Sequence, residues 1–144
     1  MSAEENKDVV RREVEELYNS DGNLDVADQI YASGYVLYDP SVPGGELRGP
    51  EAAKQIAADY RSAFPDLHTT FDDAIAEGDK VAYRWTASGI HEGELMGTSP
   101  TGNRMTLTGI AISRISGGKI EECWQNLDAL GMMQQLGLMD QPAG

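Results

Sequence analysis

The chain has 144 residues, 24 acidic and 11 basic, and a formal net charge of −13. Its length fits a single domain over residues 1–144, with enough apolar residues for one core and no need of a disulfide or metal staple. The charge argues against nucleic acid and against anionic membrane surfaces as partners, because no basic patch is present to meet phosphate.

The lysines are Lys7, Lys54, Lys80 and Lys119. An acidic, lysine-poor surface fits solubility through net charge; adaptation to high salt is the alternative. Cys123 is the single cysteine, so no intrachain disulfide forms. It falls in a predicted strand and reads as a buried thiol, not a nucleophile. Met1 to Glu5 is acidic without a hydrophobic run, and no apolar stretch reaches the roughly 18 residues of a membrane span. Neither a signal peptide nor a transmembrane helix is predicted, and the expected location is cytoplasmic.

In chain order, Ser2 followed by Glu4 and Glu5 opens an amphipathic helix carrying Val9, Val10, Val14 and Leu17 at helical spacing. Residues Asn19 to Asn23 break it. A short second helix fits Leu24 to Tyr31, with Gly34 as its stop, and Tyr35 to Tyr38 is a short strand. Asp39 to Gly45 is a loop punctuated by Pro and Gly. A third helix starts at Pro50, a residue suited to the first turn, and runs to about Ala63. Four strands follow: His68 to Ala76, Lys80 to His91, Arg104 to Ile115 and Lys119 to Leu127. Residues Gly93 to Gly102 form a loop. A closing helix spans Ala129 to Leu136, with Gly137 after it. Disorder is expected only in the first few residues and in the tail from Asp140 to Gly144. Helices segregated from a strand meander indicate α+β, with a sheet curling around a long helix to leave a conical cavity.

The sequence offers little support for several chemistries. His68 and His91 are unlinked by any ligand spacing, and no zinc, EF-hand, dinucleotide, Walker or nucleophile-elbow motif is present. Neither metal nor cofactor is expected. Asp128 stands out at the junction of the last strand and last helix. There it serves either as the helix N-cap or as a partly desolvated carboxylate able to exchange a proton. Trp124 and Asn126 share its strand parity and hence one face. Trp124 is either a stacking wall for a planar substrate or a core residue. Arg84 and Arg114 lie on strands, where each either faces water or finds a partner such as Asp128. His91 ends a strand and either bonds its own turn or reaches a pocket. Tyr38 either donates into a cavity or packs. His68, after a Pro-Asp turn, is placed near the surface.

Taken together, several blocks resemble the SnoaL-like polyketide cyclases of the NTF2-like superfamily. They are Phe64 to His68 (FPDLH), Gly78 to Gly93 (GDKVAYRWTASGIHEG), Met96 to Gly102 (MGTSPTG), Gly109-Ile110, Gly118 to Trp124 (GKIEECW), Asp128, and Met133 to Gly137 (MQQLG). The resemblance covers nearly the whole chain, and the joint order of the blocks carries it. It implies an NTF2-like cone, a curved antiparallel sheet wrapped around N-terminal helices and enclosing a mostly apolar pocket. It implies a cofactor-independent cyclase that closes a ring by intramolecular aldol reaction on a polyketide ester, a small apolar or aromatic carbonyl-containing substrate. The Asp matching Asp128 is then the general acid/base. Tyr38, Trp124, Asn126, Arg84 and His91 are the substrate-binding candidates. Self-association through the sheet face, as a dimer or tetramer, is also implied. One departure is Tyr38, where many relatives carry His before the Asp-Pro pair. The alternatives are a non-catalytic binding or dimerisation module, or an isomerase or epoxide hydrolase on the same fold.

Overall fold

The computed structural model describes residues 2–139; the expectation for 140–144 lies outside them. The first helix, α1 (Ala3–Arg12), begins with a reciprocal capping box. The Ser2 hydroxyl accepts from the Glu5 N–H and the Glu5 carboxylate accepts from the Ser2 N–H, both at 3.1 Å. This satisfies two of the donors left open at a helix start. The helix then loosens into a π-helical turn, Glu13–Leu17. That turn buries Glu13 beside Val14 and Leu17, so a carboxyl group enters an otherwise apolar face. Wide turns of this kind commonly accompany functional sites.

Helix α2 (Val26–Ile30) is shorter than expected, and strand β1 (Tyr31–Tyr38) starts directly after it. Gly34 lies inside this strand and does not end the helix. Distant pairing decides the matter: Tyr31 and Val36 to Tyr38 align with the last strand, β6 (Lys119–Leu127), and the intervening register shift falls around Gly34. Strand pairing overrides the local helical spacing. A three-residue strand, β2 (Glu46–Arg48), went unpredicted because it owes its form to pairing with β1.

Helix α3 (Pro50–Ala63) precedes β3 (His68–Glu77), β4 (Lys80–Ile90) and β5 (Arg104–Ser116). The sheet order is β2-β1-β6-β5-β4-β3. Every neighbouring pair is antiparallel except β1 and β6, which run parallel, so the sheet is mixed where an antiparallel one was expected. It curves but stays open, with β2 and β3 as edges, and is not a closed barrel.

The helices cover the inner face. Val10, Leu17, Ile30, Ala57, Val81, Tyr83 and Ile120 form one apolar cluster there. A second cluster, with Phe64, Leu67, Met105, Leu107 and Leu136, joins the end of α3 to the closing helix α4 (Ala129–Gln135). Gln135 fastens α4 to the sheet. Its carbonyl accepts the Thr106 N–H at 2.7 Å and its amide donates to the Thr106 carbonyl at 2.9 Å, on the stretch of β5 that extends beyond the end of β6. No described helix is long and apolar enough to cross a membrane.

Candidate active site

Between the two clusters lies a cavity of about 70 Å³. Its walls are mainly apolar or aromatic: Val14, Ile56, Leu67, Ala87 and Leu107 alternate with Tyr18, Tyr35, Tyr60 and Trp85. Met96 borders it while remaining 57% exposed, which puts this residue at the mouth. Met96 has φ +47°, the single non-glycine residue with positive φ among the described residues. Its loop is tied down by His91. That imidazole is fully buried beside Phe64, and its Nδ1 accepts the Thr101 N–H at 3.2 Å.

Among the described residues two carboxyl groups border the cavity, and their surroundings differ. Glu13 sits in the π-helical turn and accepts from the phenols of Tyr31 and, at 2.7 Å, Tyr83. The Tyr83 oxygen is 3.0 Å from Ser113 Oγ behind it. Burial pushes the Glu13 carboxyl above its ordinary value, against the opposing effect of the two phenols. Burial also raises Tyr60 to about 12 and Cys123 to about 12, so both keep their protons at neutral pH.

Asp39 follows the last residue of β1 and is 2% exposed. Its Oδ1 accepts the Ser41 N–H and the Ser41 hydroxyl, each at 2.8 Å. Its Oδ2 accepts the Gln125 amide at 3.0 Å. All three partners donate, which is what an ionised carboxylate requires. No Lys, Arg or His is among the described residues bordering the cavity, so the Asp39 carboxylate meets neutral donors there.

The residues singled out from the sequence lie elsewhere. Along β6 the alternation runs inward at Cys123, Gln125 and Leu127 and outward at Trp124, Asn126 and Asp128. The three indeed share one face, but it is the outer one. Asp128 is exposed, not desolvated; its Oδ1 accepts the Gly131 N–H at 2.9 Å and caps α4. Arg84 pairs with Asp73 at 3.6 Å and Arg114 with Glu122 at 2.8 Å; neither reaches Asp128. Arg84, Asn126 and Asp128 do meet along a shallow outer groove with Thr86 and Thr108. Tyr38 and Trp124 stack on the outer face with centroids 5.6 Å apart. His68 is exposed, as expected. Sequence reasoning missed Glu13, Asp39 and Gln125. The parity of β6 was available as a signal, but nothing local says which parity faces the helices.

A family profile described as SnoaL-like polyketide cyclase matches residues 8–136. Aklanonic acid methyl ester cyclase DnrD of Streptomyces peucetius is 34% identical over 135 residues, covering 90% of this chain and 89% of that protein. The cyclase of the same name, DauD, from Streptomyces sp. strain C5 is 34% identical over 136 residues, covering 90% of this chain and 80% of its own. Among solved structures, IdmH of Streptomyces antibioticus superimposes with a TM-score of 0.77 at 32% identity, over 92% of this chain and 98% of that one.

Proposed function

The chain belongs to the SnoaL-like polyketide cyclase family, and on that premise we propose that it closes a carbon ring in a polyketide ester, which enters at the Met96 mouth and widens the cavity as it binds, with Asp39 as general acid and base. The observation that carries this reading is the Asp39 carboxylate, buried at the wall of an apolar, aromatic cavity and held by three donors.

The chemistry asks little more of the protein. Asp39 takes the acidic proton from a carbon flanked by carbonyls, leaving an enolate and a neutral carboxylic acid. The enolate carbon attacks a second carbonyl of the same molecule, and one C–C bond forms. The resulting alkoxide takes the proton back from Asp39. The sum is an isomerisation with no net gain or loss of atoms or electrons. Conjugation stabilises the enolate, so orientation within an apolar cavity and one placed carboxylate supply the catalysis. The Tyr18 and Tyr60 side chains border the same space, and their phenols, kept protonated by burial, are donors for the developing oxyanion.

The test uses aklanonic acid methyl ester, the compound in the names of the two Streptomyces relatives, with ring closure followed by chromatography. Asp39→Asn is expected to lower turnover by roughly 10²–10⁴-fold. Wild-type turnover in that variant, or none in the native protein, rejects the assignment.

Self-association through the outer sheet face belongs to the same reading. Register aligns Ile75 with Ala82, Ile112, Trp124 and Tyr38 in a row across five strands. At the usual strand spacing that row spans about 19 Å. Ile75, Ile112 and Trp124 are 71%, 44% and 39% exposed in the single chain, which suits burial against a second copy.

A further inference from the structure

Gln125 is held at both ends of its amide. The Trp85 indole N–H donates to Oε1 at 3.2 Å, and Nε2 donates to Asp39 Oδ2 at 3.0 Å. An indole nitrogen only donates and an ionised carboxylate only accepts, so the amide fits one way round. The indole is itself seated by Gly109, its partner across β4 and β5: a Cβ there would lie 2.2 Å from the Trp85 ring. Three adjacent strands thus contribute Trp85, Gly109 and Gln125 to one chain of contacts that ends on Asp39, just past β1.

Among the described residues the other titratable groups bordering the cavity are Glu13, Tyr18, Tyr31, Tyr35, Tyr60 and Cys123. Burial favours the protonated form of each. They therefore supply no cation to orient a carboxylate. That task falls to Gln125 and Ser41. Ser41 sits two residues away on the same loop and moves with Asp39, whereas Gln125 belongs to the central sheet.

We propose that Gln125 is the positioning residue of this cavity, using its Trp85-clamped amide to fix the Asp39 carboxylate against the sheet in a single orientation. The proposal rests on the reading of Asp39 as the acid/base group. It assigns Gln125 no contact with the reacting atoms. It also makes Trp85 more than a hydrophobic wall, since the indole decides which end of the amide meets Asp39.

The test is a carbon-13 NMR titration of the Asp39 carboxyl in the full chain, with the Trp85 indole N–H followed in parallel. Gln125→Leu removes the donor and is expected to raise the Asp39 midpoint relative to the native chain, since loss of a hydrogen bond to the charged form disfavours it. Gln125→Glu keeps the shape and exchanges the donor for a second carboxylate. The pair then shares a proton, and one of its two apparent midpoints rises further than in the leucine variant. Asn126→Leu, on the outer face of the same strand, leaves both signals in place. With aklanonic acid methyl ester, Gln125→Leu lowers kcat with little change in KM, and the acid limb of the rate profile moves with the titration. An Asp39 midpoint that stays fixed in both Gln125 variants while the indole signal shifts overturns the proposal, because Gln125 is then only a partner for Trp85. Should Gln125→Leu fail to fold, the isosteric glutamate variant decides alone. The titration needs no turnover, so a positive result beside an Asp39→Asn variant of full activity rejects Asp39 as the acid/base group and leaves its positioning by Gln125 standing.

Discussion

Asp128 and Gly131 form one structural unit. The carboxylate accepts the Gly131 N–H at 2.9 Å, and a Cβ at position 131 would come within 2.1 Å of the other carboxylate oxygen. Asp128→Ala is expected to cost about 1 kcal/mol of stability in a denaturant titration, the usual value of an N-cap. Gly131→Ala displaces the same carboxylate and destabilises in the same direction. Asp128→Asn keeps a capping oxygen, and its turnover is expected to stay at the wild-type level. If Asp128→Asn abolishes ring closure while Asp39→Asn does not, the catalytic carboxylate is the outer one.

Gly109 leaves the space in which the Trp85 ring lies. Gly109→Ala forces the indole aside, and overpacking of this kind costs about 1–3 kcal/mol. The indole N–H resonance of Trp85 is expected to shift as its bond to Gln125 breaks. An unmoved resonance contradicts the close approach.

Glu13 makes a specific contribution to pH dependence. Burial raises its carboxyl above the ordinary value of 4.5, so the folded chain holds that proton to higher pH than the unfolded chain. Between the ordinary and the raised value the unfolded state releases a proton that the folded state keeps. The contribution of Glu13 to stability therefore falls as pH rises through that window, and the loss is complete above the raised value. Glu13→Gln lacks this dependence. The difference in unfolding free energy, wild type minus variant, is expected to decline as pH rises from 4.5. Parallel stability curves for the two proteins would count against a buried, proton-bearing Glu13.

The outer apolar row gives an expectation for the oligomer. Trp124→Glu and Ile112→Glu place charges at the centre of that row and are expected to shift sedimentation from a dimer or larger assembly to the single chain. Both side chains are exposed in the single chain, so the secondary structure is expected to be retained in a circular-dichroism spectrum. An assembly unaffected by both changes must use another surface.

Much of the fold is legible in the sequence because its signals are local. Ser2 and Glu5 announce a helix start, Pro50 another, and the alternation from Val81 to Ala87 marks a strand. What escaped depends on partners far along the chain. Tyr31 becomes strand because Ile120 lies beside it, and Glu46 to Arg48 become strand because β1 does. The same distinction governs the site. The common parity of Trp124, Asn126 and Asp128 could be read from the chain, but the side of the sheet that the helices cover could not. Asp39 looked like loop punctuation because its burial depends on Gln125, 86 residues away.

The pairing of Gln135 with both backbone groups of Thr106 bears on behaviour outside the native state. One side chain imitates an adjoining strand where β6 has already ended, and so blunts a segment of β5 that another chain could otherwise extend. The closing helix thus guards against aggregation: a chain truncated before α4, or one whose last turns fray on heating, offers neighbouring molecules a bare template for strand addition.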